Sequence, residues 1–175
     1  VFGNGSGNPI NAIDSTKTAL LPGQASSFAN YTNNVRGLNG IVVDIANVGG
    51  LITSSDFQFA TWNGISSSGF LPTSALPTIT VIPNGGLSNT TRVKIGFADN
   101  AIRNTWLRIT MLATENTGLR NNDIFYFGNA VADLNIGNVG SPTTVRTNAT
   151  DTSAVRQNQS IASNSVGISN LYDLN

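Results

Sequence analysis

The residues of this chain with the most evident chemistry are oxygen donors, and they point to cation binding. The chain closes on NLYDLN, in which Asp173 and Asn175 stand at alternate positions. Calcium loops of the EF-hand type begin in this way, because side-chain oxygens at alternate positions of a tight turn converge on one ion. We therefore expect a calcium loop cut after its third position, in a fragment of a larger protein. The alternative is an ordinary polar tail.

The chain offers little for catalysis. It contains no histidine and no cysteine, which excludes a Ser-His-Asp triad, a thiol nucleophile, a Cys-ligated zinc site and a disulfide framework. Paired carboxylates can hydrolyse glycosides. The acidic residues are Asp14, Asp44, Asp56, Asp99, Asp123, Asp133, Asp151, Asp173 and Glu115. No two of them stand at a recognisable catalytic spacing, and most adjoin turns or strand ends. The sequence predicts a protein that is not an enzyme.

Two tryptophans are candidates for ligand binding. Trp62 and Trp106 each belong to a run in which apolar and polar residues alternate, and each falls on the polar side of its run. An outward tryptophan is unusual for so large an apolar group, and such rings stack on the apolar faces of sugars. Gln58 and Arg108 would flank the rings as polar partners. The alternative is that a loop or the N-terminal segment covers these rings, or that a change of register buries them. Tyr31 and Tyr126 are weaker candidates for ligand binding.

The composition of the chain limits the environments and the classes of partner that we expect for it. Only 10% of the residues are charged and the formal net charge is zero, so the chain lacks the basic surface that nucleic acids attract. Its apolar runs are far shorter than the roughly 20 residues of a membrane span. Asn, Ser, Thr and Gly supply most of the polar surface, which is typical of secreted or cell-surface bacterial β-proteins. We expect a polysaccharide, a surface protein or further copies of the chain as partners.

The elements that would position these residues are short strands. Period-two alternation predicts strands in the runs 38-LNGIVVDIANV-48, 56-DFQFATW-62, 78-TITVI-82, 91-TRVKIGFAD-99, 105-TWLRITMLAT-114 and 123-DIFYFGNAV-131. Turns rich in Gly, Pro and Asn separate them. This pattern indicates an all-β fold, namely an antiparallel β-sandwich of the jelly-roll or immunoglobulin/cohesin-like kind.

Three regions follow from the patterning. Residues 1–37 are weakly patterned and form a lead-in or edge segment, and residues 38–132 form the sandwich core. Residues 133–175 form an appendage with one short helix, predicted over 150-TDTSAVRQN-158.

The stretch 99-DNAIRNTWLRITMLATENTGLRNNDIFYFGNAV-131 resembles a module of large secreted bacterial surface proteins. In that family a β-sandwich precedes a dockerin-type calcium cassette. The resemblance covers roughly residues 38–175, and FYFGNA and TNATD are its most specific segments. It implies that 147-TNATDTSAVRQNQ-159 closes one calcium loop and that residues 133–175 are a truncated dockerin-like appendage.

The resemblance also implies a ligand set for calcium, which would act structurally. Asn148 and Asp151 take the places of late ligands in the first loop, Asp133 stands in for an early one, and Asp173 opens the second loop. Together, the residues indicate a non-catalytic extracellular or cell-surface module that acts by binding a carbohydrate or a partner protein. The alternative is a structural subunit of a fibre or surface layer, assembled by strand exchange.

Overall fold

The structure, a computed structural model, describes residues 13–63, 67–133 and 149–157. The strands are β1 (Tyr31–Thr32), β2 (Gly40–Ile45), β3 (Phe57–Trp62), β4 (Leu71–Pro72), β5 (Thr78–Ile82), β6 (Thr91–Gly96), β7 (Thr105–Met111) and β8 (Asp123–Asn129), and the helix is α1 (Ala149–Gln157). Because most of this regular structure is strand, the predicted all-β class is confirmed. Within the described ranges, no helix combines the length and the apolar character that crossing a membrane requires.

The strands form two sheets. The larger sheet has the order β1-β8-β7-β3-β4, and the smaller has the order β2-β6-β5. Every pair is antiparallel except β1–β8, in which Tyr31 lies beside Gly128 and Thr32 beside Asn129. The expectation of a wholly antiparallel arrangement is therefore wrong at this one edge. A parallel neighbour requires a long connection, and here residues 33–122 lie between the two strands.

One apolar core lies between the two sheets. Val93 and Ile95 of β6 and Leu107 and Ile109 of β7 have no exposed surface, and all four belong to a single cluster. Period-two alternation brings these side chains to the inner faces. Burying a side chain of this size contributes about 1.5–3 kcal/mol relative to leaving it in water. The sequence patterns in these strands thus predicted the correct inner face.

The strand predictions succeed where the alternation is long. Strands β2, β3 and β5–β8 fall inside the six predicted runs, and α1 lies one residue from its predicted bounds. Strands β1 and β4 were missed, since two residues cannot show a period. The described part of the predicted lead-in lies against the larger sheet, where Leu20 exchanges both backbone hydrogen bonds with Tyr126.

The abundant asparagine has a structural explanation at the turns. Several residues adopt the left-handed backbone region, which Asn tolerates better than most other residues. They include Asn47, Asn84, Asn89, Asn100 and Asn104, with φ between 51° and 65°. Short strands need many turns, and Asn supplies them without adding charge.

A buried carboxylate fastens the start of β3 to the turn between β7 and β8. Asp56 is 2% exposed and accepts hydrogen bonds from the Thr53 backbone and hydroxyl, the Thr114 hydroxyl and the Asn116 amide. Burial by itself raises the pKa of Asp56. The hydrogen bonds outweigh burial and hold the pKa below its usual value. Asp56 therefore has a structural role.

Asp44 and Arg92 form a cross-strand ion pair between β2 and β6. The Arg92 Nε donates to one Asp44 oxygen and an Arg92 terminal nitrogen to the other, both at 2.8 Å. The Leu87 backbone also donates to Asp44. The hydrogen bonds from Arg92 are the main cause that lowers the pKa of Asp44. Asp44 therefore also has a structural role.

Candidate functional site

All four predicted ligand-binding residues lie on one face of the larger sheet. In the β3–β7 register, Trp62 lies opposite Trp106 and Arg108 lies opposite Ala60. Gln58 shares this face because it is two residues before Ala60. Leu107 and Ile109, the neighbours of Arg108 in β7, belong to the core, and Phe59 of β3 packs against it. The four side chains therefore belong to the outer face, as the alternation predicted.

A row of aromatic rings crosses this outer face. Phe70, from the loop before β4, lies between Trp62 and Tyr126, with ring centroids 5.7 Å and 5.3 Å away. The guanidinium carbon of Arg108 is 5.3 Å from the centroid of the Phe70 ring. All four side chains are half-buried. We call Trp62, Phe70, Tyr126, Arg108 and Gln58 the aromatic face.

A groove adjoins the aromatic face. It has a volume of 380 Å³ and is lined by Gln58, Phe59, Ala60, Pro72, Arg108 and Thr110. Ala60 and Thr110 are 4% and 8% exposed, so they form its floor. Gln58 and Arg108 contribute amide and guanidinium groups beside the rings. A few polar groups next to an apolar wall are typical of a site that orients a small ligand.

Trp106 lies at the margin of this arrangement. Its ring is half-buried, and the Tyr31 ring meets it edge to face with centroids 6.3 Å apart. A Cβ atom added to Gly128 would lie 2.9 Å from the Tyr31 Cβ and 3.0 Å from the Trp106 ring. Glycine at position 128 therefore permits β1 and Trp106 to approach β8 closely. Of the two tryptophans, Trp62 has the more direct contact with the aromatic row.

Two other predicted residues, Asp133 and Asp151, act on the hydroxyl of Tyr31. This hydroxyl donates a hydrogen bond of 3.2 Å to Asp133. Both Asp133 and Asp151 are fully buried. Burial raises the pKa of Tyr31 most, followed by the negative charge of Asp133 and the hydrogen bond to it, and then by the charge of Asp151. Two of the four predicted calcium ligands, Asp133 and Asp151, therefore both raise the pKa of Tyr31.

The donor chemistry of Asp133 and Asp151 fits a calcium ion. Calcium takes six to eight oxygen ligands, and buried carboxylates are stabilised by a cation. The other two predicted ligands, Asn148 and Asp173, lie outside the described residues. Within residues 13–63, 67–133 and 149–157, no group of three or more acidic side chains is arranged to hold a metal ion. Two carboxylates do not supply the six to eight oxygen ligands of calcium, so the described residues do not complete a calcium site.

Lys17 lies beside a small cavity near the same edge of the larger sheet. The cavity has a volume of 90 Å³, and its lining includes Asp14, Lys17 and Tyr31. Burial lowers the pKa of Lys17, and the nearby charge of Asp14 partly offsets this effect. The Lys17 ammonium donates to the Phe28 carbonyl at 2.9 Å and lies 3.5 Å from the centroid of the Phe28 ring. These contacts give Lys17 a structural role.

Comparison of the chain with models of protein families, with curated proteins and with solved structures found no match. The site must therefore be interpreted from its own geometry.

The sequence analysis named Tyr126 only as a weaker candidate for ligand binding, and it missed Phe70. Phe70 lies in a long loop without periodicity, so the sequence gives no sign of its position over the sheet. Tyr126 lies in the aromatic run of β8, and strand alternation alone would have placed it on the face of Arg108, its partner in the β7–β8 register. The signal for Tyr126 was present; the signal for Phe70 was not.

Proposed function

We propose that this chain is a non-catalytic extracellular module that binds a carbohydrate through its aromatic face. The observation that carries the proposal is the continuous row of Trp62, Phe70 and Tyr126, with Arg108 over the central ring. Aromatic rings offer a rigid apolar surface at low cost in conformational entropy. The C–H faces of a pyranose ring are complementary to such a surface.

The adjoining groove supports this proposal. Its volume of 380 Å³ is suited to a small part of a polymer, such as one or two sugar rings. Gln58 and Thr110 offer hydrogen-bonding groups to sugar hydroxyls. The alternative ligand is a partner protein that inserts an apolar side chain into the groove. A direct binding test distinguishes the two.

The experiment is affinity electrophoresis of the full chain through gels that contain single polysaccharides. Trp62→Ala removes one end of the aromatic row, and we expect it to abolish retardation. Leu51→Ala is the matched control, because Leu51 is 74% exposed and lies in the turn between β2 and β3. Equal retardation of both variants would exclude the aromatic face as the site. If no polysaccharide retards the chain and the chain captures a surface protein, the ligand is a partner protein.

The proposal extends to the fold type and to the C-terminal part of the chain. We propose a β-sandwich, antiparallel except at the β1–β8 edge and of the jelly-roll or immunoglobulin/cohesin-like kind, that carries a dockerin-like appendage outside the cell. Structural calcium between Asp133 and Asp151 would attach the appendage, and both carboxylates are fully buried. A non-catalytic role agrees with the use of Asp44 and Asp56 in structural hydrogen bonds.

A structural subunit of a fibre or surface layer is the second candidate. The observation that favours it is the edge strand β5, which pairs with β6 on one side only among the described residues. The chain has no charged residue between Asp56 and Arg92. Edge strands are usually protected from pairing with other chains by charged residues, and β5 has none. The prolines at positions 77 and 83 limit such an edge to five residues.

A further inference from the structure

The aromatic face carries a single formal charge. Strands β3 and β4 contain no charged residue, and β7 contains only Arg108. In β8 the only charged residue is Asp123, which lies opposite Met111 and so belongs to the other face. A lone guanidinium beside aromatic rings is an attractive site for an anionic group.

Arg108 is held in place but not engaged by an acid. Its guanidinium carbon lies 5.3 Å from the Phe70 centroid. Within the described part of the chain it makes no ion pair and donates no hydrogen bond. Arg92 shows the contrast, since two of its nitrogens donate to Asp44 at 2.8 Å. Packing against a ring occupies one face of the guanidinium plane and leaves N–H groups at its edge for a ligand.

The position of Arg108 suits recognition of a charged sugar. Arg108 both lines the groove and contacts Phe70, so an anion bound at its edge would adjoin the aromatic row. Half-burial reduces the competition from water and salt that an exposed arginine experiences. Ring stacking and charge recognition are therefore available to one ligand at the same time.

We propose that the ligand of the aromatic face is an acidic saccharide, in which a carboxylate of the uronic acid type binds Arg108. This inference rests on the proposed carbohydrate-binding function and specifies the class of sugar. The carboxylate accepts two N–H groups of Arg108, and the sugar ring packs against the aromatic row. Gln58 and Thr110 bind hydroxyls in the groove.

The test compares a polyuronate with the same polymer after reduction of its carboxylates to hydroxymethyl groups. Binding of the full chain is measured by isothermal titration calorimetry at fixed salt. We expect carboxylate reduction to weaken binding about tenfold or more, because charge-assisted hydrogen bonds are lost. Arg108→Gln should produce a similar loss on the polyuronate and little change on the reduced polymer. Arg108→Lys should restore part of the affinity, since it retains the charge but not the paired N–H geometry.

Arg120→Gln is the matched control. Arg120 is an exposed arginine in the turn between β7 and β8, and the substitution removes the same charge away from the aromatic face. Thermal melting of each variant verifies that it folds. Equal losses of polyuronate affinity in Arg108→Gln and Arg120→Gln would show that only the overall charge of the protein matters. That result would overturn the inference.

The remaining outcomes separate this inference from the function on which it rests. Equal binding of both polymers, abolished by Trp62→Ala and unchanged by Arg108→Gln, would overturn the acidic-sugar inference and leave carbohydrate binding in place. Failure to bind the polyuronate, its reduced form and a panel of neutral polysaccharides would overturn both.

Discussion

The hydroxyl of Tyr31 donates a hydrogen bond of 3.2 Å to Asp133, a residue 102 positions away. This contact joins β1, which the N-terminal segment contributes to the larger sheet, to the turn that follows β8. Asp151 of α1 is close enough for its charge to raise the pKa of the same tyrosine. Tyr31 also packs against Trp106, so one residue contacts both the turn after β8 and the margin of the aromatic face.

The first prediction concerns calcium. If the ion lies between Asp133 and Asp151, its binding stabilises the folded state by about 4 kcal/mol at a thousandfold excess over Kd. We expect Asp151→Ala to lower the melting temperature by several degrees in calcium and to have a much smaller effect in a chelator. Differential scanning calorimetry under both conditions measures this difference. Asp123→Ala, which removes an exposed carboxylate, is the control.

An equal loss in calcium and in chelator would show that Asp151 acts by packing or hydrogen bonding alone. The proposed calcium site would then be wrong, while the contact between Tyr31 and Asp133 would stand.

The second prediction concerns acid stability. The folded-state pKa of Asp56 lies below the ordinary value of 3.8. Its stabilising contribution is therefore complete above that value, and it is lost as the pH falls through 3.8 toward the folded-state pKa. We expect Asp56→Asn to cost about 2 kcal/mol at pH 7, since the amide cannot accept all the hydrogen bonds that the carboxylate accepts. The difference from the parent protein should shrink in urea titrations at pH 3.

Asp99→Asn is the matched control, since Asp99 is exposed. A difference between Asp56→Asn and the parent protein that stays constant from pH 7 to pH 3 would contradict the predicted role of the Asp56 charge.

The third prediction concerns the buried amide of Asn129. This side chain donates to the carbonyls of Thr32 and Asn34 and accepts from the backbone of Asn104. Asn129→Leu removes three hydrogen bonds and leaves the Asn104 N–H without its partner. The Thr32 and Asn34 carbonyls still accept from backbone N–H groups, so we expect a loss of about 2 kcal/mol of unfolding free energy. Asn121→Leu, at an exposed position, should change it by less than about 0.5 kcal/mol. Chemical denaturation measures both, and similar values would argue against Asn129 as the connection between β1, β8 and the turn before β7.

The fourth prediction separates the two candidate functions. If copies associate through β5, the native particle should exceed 18.3 kDa in analytical ultracentrifugation. Thr80→Glu should then return it to a monomer, because a charge on the exposed edge opposes pairing. The substitution should preserve the fold, since Thr80 lies opposite Lys94 in the β5–β6 register and the charges are complementary. Asn121→Glu adds the same charge elsewhere and should leave the association unchanged.

A parent protein that remains monomeric at high concentration would exclude the structural-subunit candidate. It would also direct the next experiments to the aromatic face.

The success of strand prediction had a physical basis. Side chains in a strand alternate between faces, so Val93 and Ile95 had to share a side wherever that strand formed. The same rule placed Trp62 and Arg108 on the outer face before any contact was known. It could not place Phe70, because its position over the sheet depends on the path of a loop. The conformation of a loop depends on contacts with residues that are distant in sequence, so a local sequence pattern does not predict it.

The sequence by itself determined the all-β class, the inner and outer faces of the long strands, and the lack of thiol and histidine chemistry. Each of these depends on residue type or on local periodicity. The tertiary structure decided the parallel edge between β1 and β8, the aromatic row completed by Phe70, and the meeting of Tyr31 with Asp133 and Asp151. These features join distant parts of the chain, and only the packing of the whole protein brings them together.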